Sequence, residues 1–189
     1  ALDKAFQSGA DPFIAVFPDG NAKTHVDSEW ADSSDGKAMV ETWLTTNVIN
    51  TVEGDNPRLK EQRAIVGFSM GGYGATMVAL HHPELFAQIG SLAGYFVLDD
   101  LTRAFTDKKK IAYETPSNYL NTAKLFRWYL AEAKDDYTQP IHGEMVRWST
   151  LLKKMKVSVE THAPIGGHSF AFVTGQIPSL VKWLHWPTN

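Results

Sequence analysis

A chain of 189 residues, 43 % apolar and 21 % charged, is long enough for one domain with a real core and has an ordinary globular composition. Its formal net charge of −3 leaves no basic footprint for nucleic acid, and the run Lys108-Lys109-Lys110 reads as a solvated loop. No stretch approaches the roughly 20 apolar residues of a membrane helix, and the lack of cysteine excludes disulfides, thiolate catalysis and cysteine-ligated metals while fitting a secreted and a cytoplasmic protein equally.

In chain order, Leu2, Ala5 and Phe6 mark a short amphipathic helix ended by Ser8-Gly9-Ala10-Asp11-Pro12, and Phe13-Ile14-Ala15-Val16-Phe17 reads as a fully buried strand. The turn Pro18-Asp19-Gly20 leads into an aperiodic polar stretch, Asn21 to Asp35, long enough to suggest a functional loop at a strand's carboxyl end. Val40, Trp43, Leu44 and Val48 recur at helical spacing, and Gly54-Asp55-Asn56-Pro57 closes that helix. The apolar run Ala64-Ile65-Val66 predicts a strand, Gly71 to His81 a helix broken by Pro83, and Gln88 to Leu92 another strand. A polar region then extends to Thr122, with a helical turn expected near Leu101 to Phe105, and is the natural place for specificity insertions. Leu125 to Ala131 fits both periods and is read as a strand on its aromatic content. A helix over about Ile141 to Lys154, a strand over Val157 to Thr161 and a last helix carrying Leu180, Val181 and Leu184 complete the pattern. Alternating strands and helices imply a mainly parallel sheet with helices on both faces and function at the strands' carboxyl ends.

One serine sits where a strand turns into a helix. In Gly67-Phe68-Ser69-Met70-Gly71 the flanking glycines suit a turn so tight that the serine backbone is strained and its Oγ stands above the sheet edge, as in a nucleophile elbow. A serine hydroxyl is a weak nucleophile and needs a histidine base, itself oriented by a carboxylate, in the chain order serine, acid, histidine. Of the histidines after Ser69, His81 and His82 end the elbow helix, His142 begins a helix, His162 belongs to a strand and His185 to the last helix. His168, in the loop Ile165-Gly166-Gly167-His168-Ser169-Phe170 between the last strand and the last helix, is the candidate base. Asp135 and Asp136, after the strand ending near Ala131, are both candidates for the acid.

The segments Gly67-Phe68-Ser69-Met70-Gly71-Gly72-Tyr73-Gly74-Ala75, His82-Pro83-Glu84-Leu85-Phe86, Ser91-Leu92-Ala93-Gly94 and Gly166-Gly167-His168-Ser169-Phe170 resemble the putative-esterase (esterase D) family of α/β hydrolases, which includes S-formylglutathione hydrolases, feruloyl esterases and mycolyltransferases. The resemblance runs from about Phe13 to Trp183. It implies an α/β-hydrolase fold in which residues 1–189 form a single domain, the C-terminal two-thirds of a longer catalytic domain lacking the N-terminal strands. A complementing N-terminal segment is therefore expected. The family spacing matches Ala133-Lys134-Asp135-Asp136 with alanine in place of glycine and favours Asp136, while a shift of one residue would select Asp135. It also implies an acyl-enzyme on Ser69, the Met70 backbone N–H as one oxyanion donor, and a second donor from a loop not recognisable in this chain. Where many relatives carry tryptophan, this chain has Phe170 and Val173. The expected activity is carboxylic-ester hydrolysis on a small-molecule substrate, with acyl transfer to an alcohol as the alternative and a non-catalytic binding module as the alternative of another class. No cofactor and no metal site are expected, since neither a His-Glu-x-x-His pattern nor a paired acidic cluster is present.

Overall fold

The structure is a computed structural model and describes residues 1–98 and 105–187. Short runs with β-branched or aromatic residues form the four strands β1 (Ala64–Phe68), β2 (Gln88–Leu92), β3 (Arg127–Ala131) and β4 (Val159–His162). They pair in sequence order, every pair parallel, with Ile65 opposite Ile89, Ile89 opposite Trp128 and Trp128 opposite Val159. Parallel neighbours need crossover connections. Helix α4 (Met70–His81) supplies the one from β1 to β2, and α7 (Glu144–Lys154) the one from β3 to β4. Between β2 and β3 run α5 (Lys108–Tyr113), a 3₁₀ turn (Pro116–Tyr119) and α6 (Leu120–Ala123). The expected turn near Leu101 to Phe105 falls largely on residues outside those described.

Side-chain alternation assigns each helix to a face. Ser91 abuts Gly72 of α4, and Trp128, one strand over on the same face, meets Trp148 of α7 edge to face at 5.9 Å. On the opposite face Gly90 lies against Leu180, and the Tyr129 hydroxyl hydrogen-bonds Ser179 at 2.6 Å, both on α8 (Phe170–Trp183). Helix α1 (Leu2–Gln7) packs on α8. The sheet is thus covered on both faces, as an α/β-hydrolase arrangement requires, and the aromatic core of Tyr73, Phe96, Trp128, Tyr129 and Trp148 is fully enclosed. The residues 40–53 form one helical run, α2 (Val40–Thr42), a π-helical turn (Trp43–Val48) and α3 (Ile49–Glu53), ended by Gly54 at φ 54°. Among the described residues no helix is long and apolar enough to cross a membrane.

Several elements depart from the sequence expectations. Phe13 to Phe17 is neither a strand nor buried: Ile14 and Val16 are exposed and Phe17 is 82 % exposed. An apolar run becomes a buried strand only where a sheet edge takes its backbone hydrogen bonds. Among the described residues the outer edge of β1 pairs with no strand, and only Phe13 finds ring partners, Phe6 at 5.1 Å and Trp186 at 5.7 Å. Helix α7 begins at Glu144, so His142 precedes it, and His185 lies beyond the end of α8 at Trp183. Helix α8 starts ten residues ahead of Leu180, because Ser169 caps it by accepting the Phe172 N–H at 3.3 Å.

Candidate active site

Strand β1 ends in Phe68 and α4 begins at Met70, leaving Ser69 as the single residue of the turn, at φ 57° and ψ −123°. A non-glycine residue in this region is strained, and such strain persists only where the surroundings impose it. They do so here. Ser69 N–H donates to Leu92 O at 2.9 Å, while its own carbonyl accepts from Gly72 N–H at 2.8 Å and Tyr73 N–H at 3.2 Å. Gly67 is sterically required, since a Cβ there would lie 1.8 Å from Gly71 O. Because Met70 opens α4, its N–H is among those the helix leaves without an intrahelical acceptor, beside Ser69 and at the positive end of the helix dipole.

The loop after β4 brings His168 over this turn. Its Nε2 lies 2.9 Å from Ser69 Oγ and its Nδ1 lies 2.8 Å from Asp136 Oδ2. The geometry sets the tautomer of the neutral ring. A carboxylate only accepts, so Nδ1–H donates to Asp136, and the lone pair left on Nε2 accepts from the Ser69 hydroxyl. The Asp136 side chain is fully buried and that of His168 is 24 % exposed. Burial pushes the Asp136 carboxyl up, but hydrogen bonds from His168 and Thr138 outweigh it and hold the group below its ordinary value.

Asp135 takes no part in this contact. Its N–H donates to Gly166 O at 2.9 Å, and its Oδ2 accepts from Gly166 N–H at 3.3 Å, so it latches the His168 loop to the segment after β3. The adjacent aspartates therefore divide the work, one fixing the loop and the other the ring.

Two neighbours, Phe68 and Trp30, were not foreseen from the sequence, whereas Phe170 was marked there as standing in for a family tryptophan. Phe68 stacks on the His168 ring at 4.6 Å with an interplanar angle of 27°, and Phe170, 78 % exposed, lies 5.8 Å beyond it. Trp30, in the loop Asn21 to Asp35, packs so closely over Gly74 that a Cβ there would clash with its ring, and its Nε1 reaches to within 3.8 Å of where a Gly71 Cβ would stand. Trp30 and the preceding Glu29 both have positive φ, and the Glu29 carboxylate accepts from the Tyr95 hydroxyl at 2.6 Å. That loop does reach the first turn of α4. The position of Phe68 in the Gly-x-Ser-x-Gly pattern was the only available sign of its contact with the histidine.

A family model described as putative esterase matches residues 1–165, most of the chain, and the chain belongs to that family. Among curated relatives, the diacylglycerol acyltransferase/mycolyltransferase Ag85A of Mycobacterium leprae (strain TN) is 30 % identical over 99 residues, which is 50 % of this chain and 29 % of that protein. The match thus spans less than a third of the relative's length. Among solved structures, a ferulic acid esterase superposes with a TM-score of 0.80 at 18 % identity, covering 97 % of this chain and 74 % of the other. An S-formylglutathione hydrolase from Agrobacterium tumefaciens gives 0.70 at 15 % identity, covering 92 % and 69 %. At such identities these structures establish the shared fold.

Proposed function

We propose that this chain is a serine esterase that cleaves carboxylic esters through an acyl-enzyme, with Ser69 as nucleophile, His168 as general base and acid, and Asp136 as the acid that orients the imidazole. The observation that supports the reading is the hydrogen-bonded relay Ser69 Oγ to His168 Nε2 and His168 Nδ1 to Asp136 Oδ2, at 2.9 and 2.8 Å. As Ser69 Oγ attacks the ester carbonyl, its proton passes to Nε2, and the buried Asp136 carboxylate stabilises the imidazolium that forms. The Met70 N–H stabilises the developing oxyanion. Collapse of the tetrahedral intermediate breaks the bond to the alcohol oxygen, which leaves with the proton from Nε2. Water then enters by the same steps in reverse and releases the acid.

Similarity to a named acyltransferase gives the second reading, in which an alcohol replaces water in the last step. Incubating a p-nitrophenyl ester with and without added sugars or simple alcohols separates the two: hydrolysis predicts free acid throughout, transfer predicts a new ester that rises with acceptor. Stoichiometric labelling by a fluorophosphonate tests the shared premise of an activated Ser69. Failure to label, or equal labelling of Ser69→Ala, would leave only a binding module.

The second oxyanion donor is proposed to come from a complementing segment that adds to the outer edge of β1. Support comes from the exposure of Val66 on that strand, 40 %, and of Ile14, Val16 and Phe17. Native and denaturing mass spectrometry of the active protein decide this, because a single species of this length with full turnover excludes such a segment.

A further inference from the structure

The C-terminal end of α4 carries a second buried cluster, roughly 18 Å from Ser69 at 1.5 Å per residue along the helix. Glu41 of α2, His81 of α4 and Glu114, which follows α5, meet there with their ligand atoms all within 4.8 Å of one another. The His81 side chain is completely buried, and those of Glu41 and Glu114 nearly or fully so. The hydrogen-bond partners of His81 show what the cluster lacks. Its Nε2 faces the Tyr113 carbonyl at 2.9 Å and must carry a proton to bond it. In the neutral ring the lone pair then lies on Nδ1, 2.9 Å from Glu41 Oε1, which is itself an acceptor. Two acceptors that close need either a second ring proton, which makes an imidazolium–carboxylate ion pair, or a metal cation in its place. Donating the other ring N–H to a backbone carbonyl is the habit of a metal-ligating histidine.

Glu114 is the second, independent sign. Lys110 Nζ pairs with its Oε1 at 2.6 Å, while Oε2, equally buried, has no hydrogen-bond partner. A buried carboxylate in that condition is costly unless a cation takes up its lone pairs. Lys110 sits at the rim, with its side chain 19 % exposed and its ammonium over the Tyr113 ring at 4.9 Å, so it can withdraw to solvent. His82, 30 % exposed, places Nε2 2.8 Å from Glu41 Oε1 on an open side of the cluster.

We propose that Glu41, His81 and Glu114 bind one divalent first-row metal ion of the zinc or manganese class. One imidazole nitrogen and two carboxylates suit such an ion. Two ligand bonds of about 2.1 Å meeting near a right angle span about 2.9 Å, the separation found between Nδ1 and Oε1. The ion is structural: it ties α2 and the end of α4 to the residue closing α5, beside the Tyr73 hydroxyl that donates to Glu114 O at 2.5 Å. Lys110 is the competitor that holds the carboxylate when no metal is bound.

Isothermal titration of the untagged, EDTA-treated protein with zinc chloride and with manganese chloride tests this, together with thermal unfolding in each salt. The expected result is one ion per chain for at least one metal, a raised melting temperature, and affinity at least about tenfold weaker in His81→Gln and in Glu114→Gln. Lys110→Ala should bind more tightly, because it removes the competing ammonium. The absence of stoichiometric binding to the unsubstituted protein overturns the proposal even if the ligand variants fail to fold. So does binding unchanged by His81→Gln and Glu114→Gln, or a Lys110→Ala protein that is destabilised without gaining affinity.

Discussion

In the proposed mechanism, removing the Ser69 hydroxyl or the His168 ring takes away half of a proton-transfer pair, so Ser69→Ala and His168→Ala should each lower turnover of a p-nitrophenyl ester by as much as about 10⁶-fold with the circular dichroism spectrum intact. Asp136→Asn leaves the ring in place but favours the wrong tautomer, and a loss near 10⁴-fold is expected. Asp135→Asn should cost far less, since its side chain meets the Gly166 N–H and not the imidazole. Steady-state kinetics of the four variants measure this, and the reverse ranking of the two aspartates would discard the assignment. The same carboxyl gives a pH signature in stability. Asp136 is held below its ordinary value, with burial opposing and the bonds from His168 and Thr138 prevailing. Its stabilising contribution is therefore complete above the unfolded value near 4 and is lost as pH falls through the lower folded value. Urea unfolding of the wild type and Asp136→Asn should show a gap that is constant from about pH 7 to 5 and narrows below about pH 4. A gap that widens on acidification would contradict the direction of the shift. Ser69 was readable from the sequence because glycines stand on both sides of it, and His168 because Gly166-Gly167 lead into it in the loop after the last strand. The choice between Asp135 and Asp136 was only a lean, because both follow the same strand and a single residue of register decides which carboxyl turns inward.

Strand, turn and helix around Ser69 act as one element, and its tightest point is not the serine. A methyl group on Gly67 would stand 1.8 Å from the Gly71 carbonyl, so Gly67→Ala must push β1 and the first turn of α4 apart. A destabilisation above about 3 kcal/mol is expected, with activity lost even in the fraction that folds; denaturant unfolding and the specific activity of the soluble fraction report the two effects. The modest counterpart is Gly71→Ala, where a Cβ would meet only the Trp30 indole nitrogen at 3.8 Å. Most elements were legible from period and punctuation: Gln88 to Leu92 coincides with β2, and the helix ending at His81 lies where it was expected. Two were not. The beginning of α8 was hidden because Gly175 and Pro178 interrupt the helical signal, whereas its real start is fixed by the cap at Ser169. Phe13 to Phe17 has the composition of a buried strand, but composition does not state whether an edge is there to receive it.

At the scale of the whole molecule, stability rests on the aromatic layer between the sheet and α7. Trp148 has no exposed surface, lies parallel to Phe96 at 5.0 Å and meets Trp128 edge-on. Trp148→Ala should cost about 3–5 kcal/mol, a large part of the 5–15 kcal/mol typical of a domain. A shift in the urea midpoint with an unchanged slope would measure it, and a cost below about 1 kcal/mol would mean that the layer is not packed as described. The groups proposed to react depend on something less replaceable than any side chain. Past the formal ends of the strands the main chain keeps pairing: Ser69 N–H to Leu92 O, Ala93 N–H to Ala131 O, Glu132 N–H to His162 O, Lys134 N–H to Pro164 O and Asp135 N–H to Gly166 O. Five rungs thus lash the stretches bearing serine, aspartate and histidine side by side at the spacing of a sheet. Peptide groups are common to every sequence, so mutation can rewrite nearly all the surrounding side chains without cutting this lashing. A scaffold shared with a ferulic acid esterase at 18 % identity is what such main-chain inheritance permits.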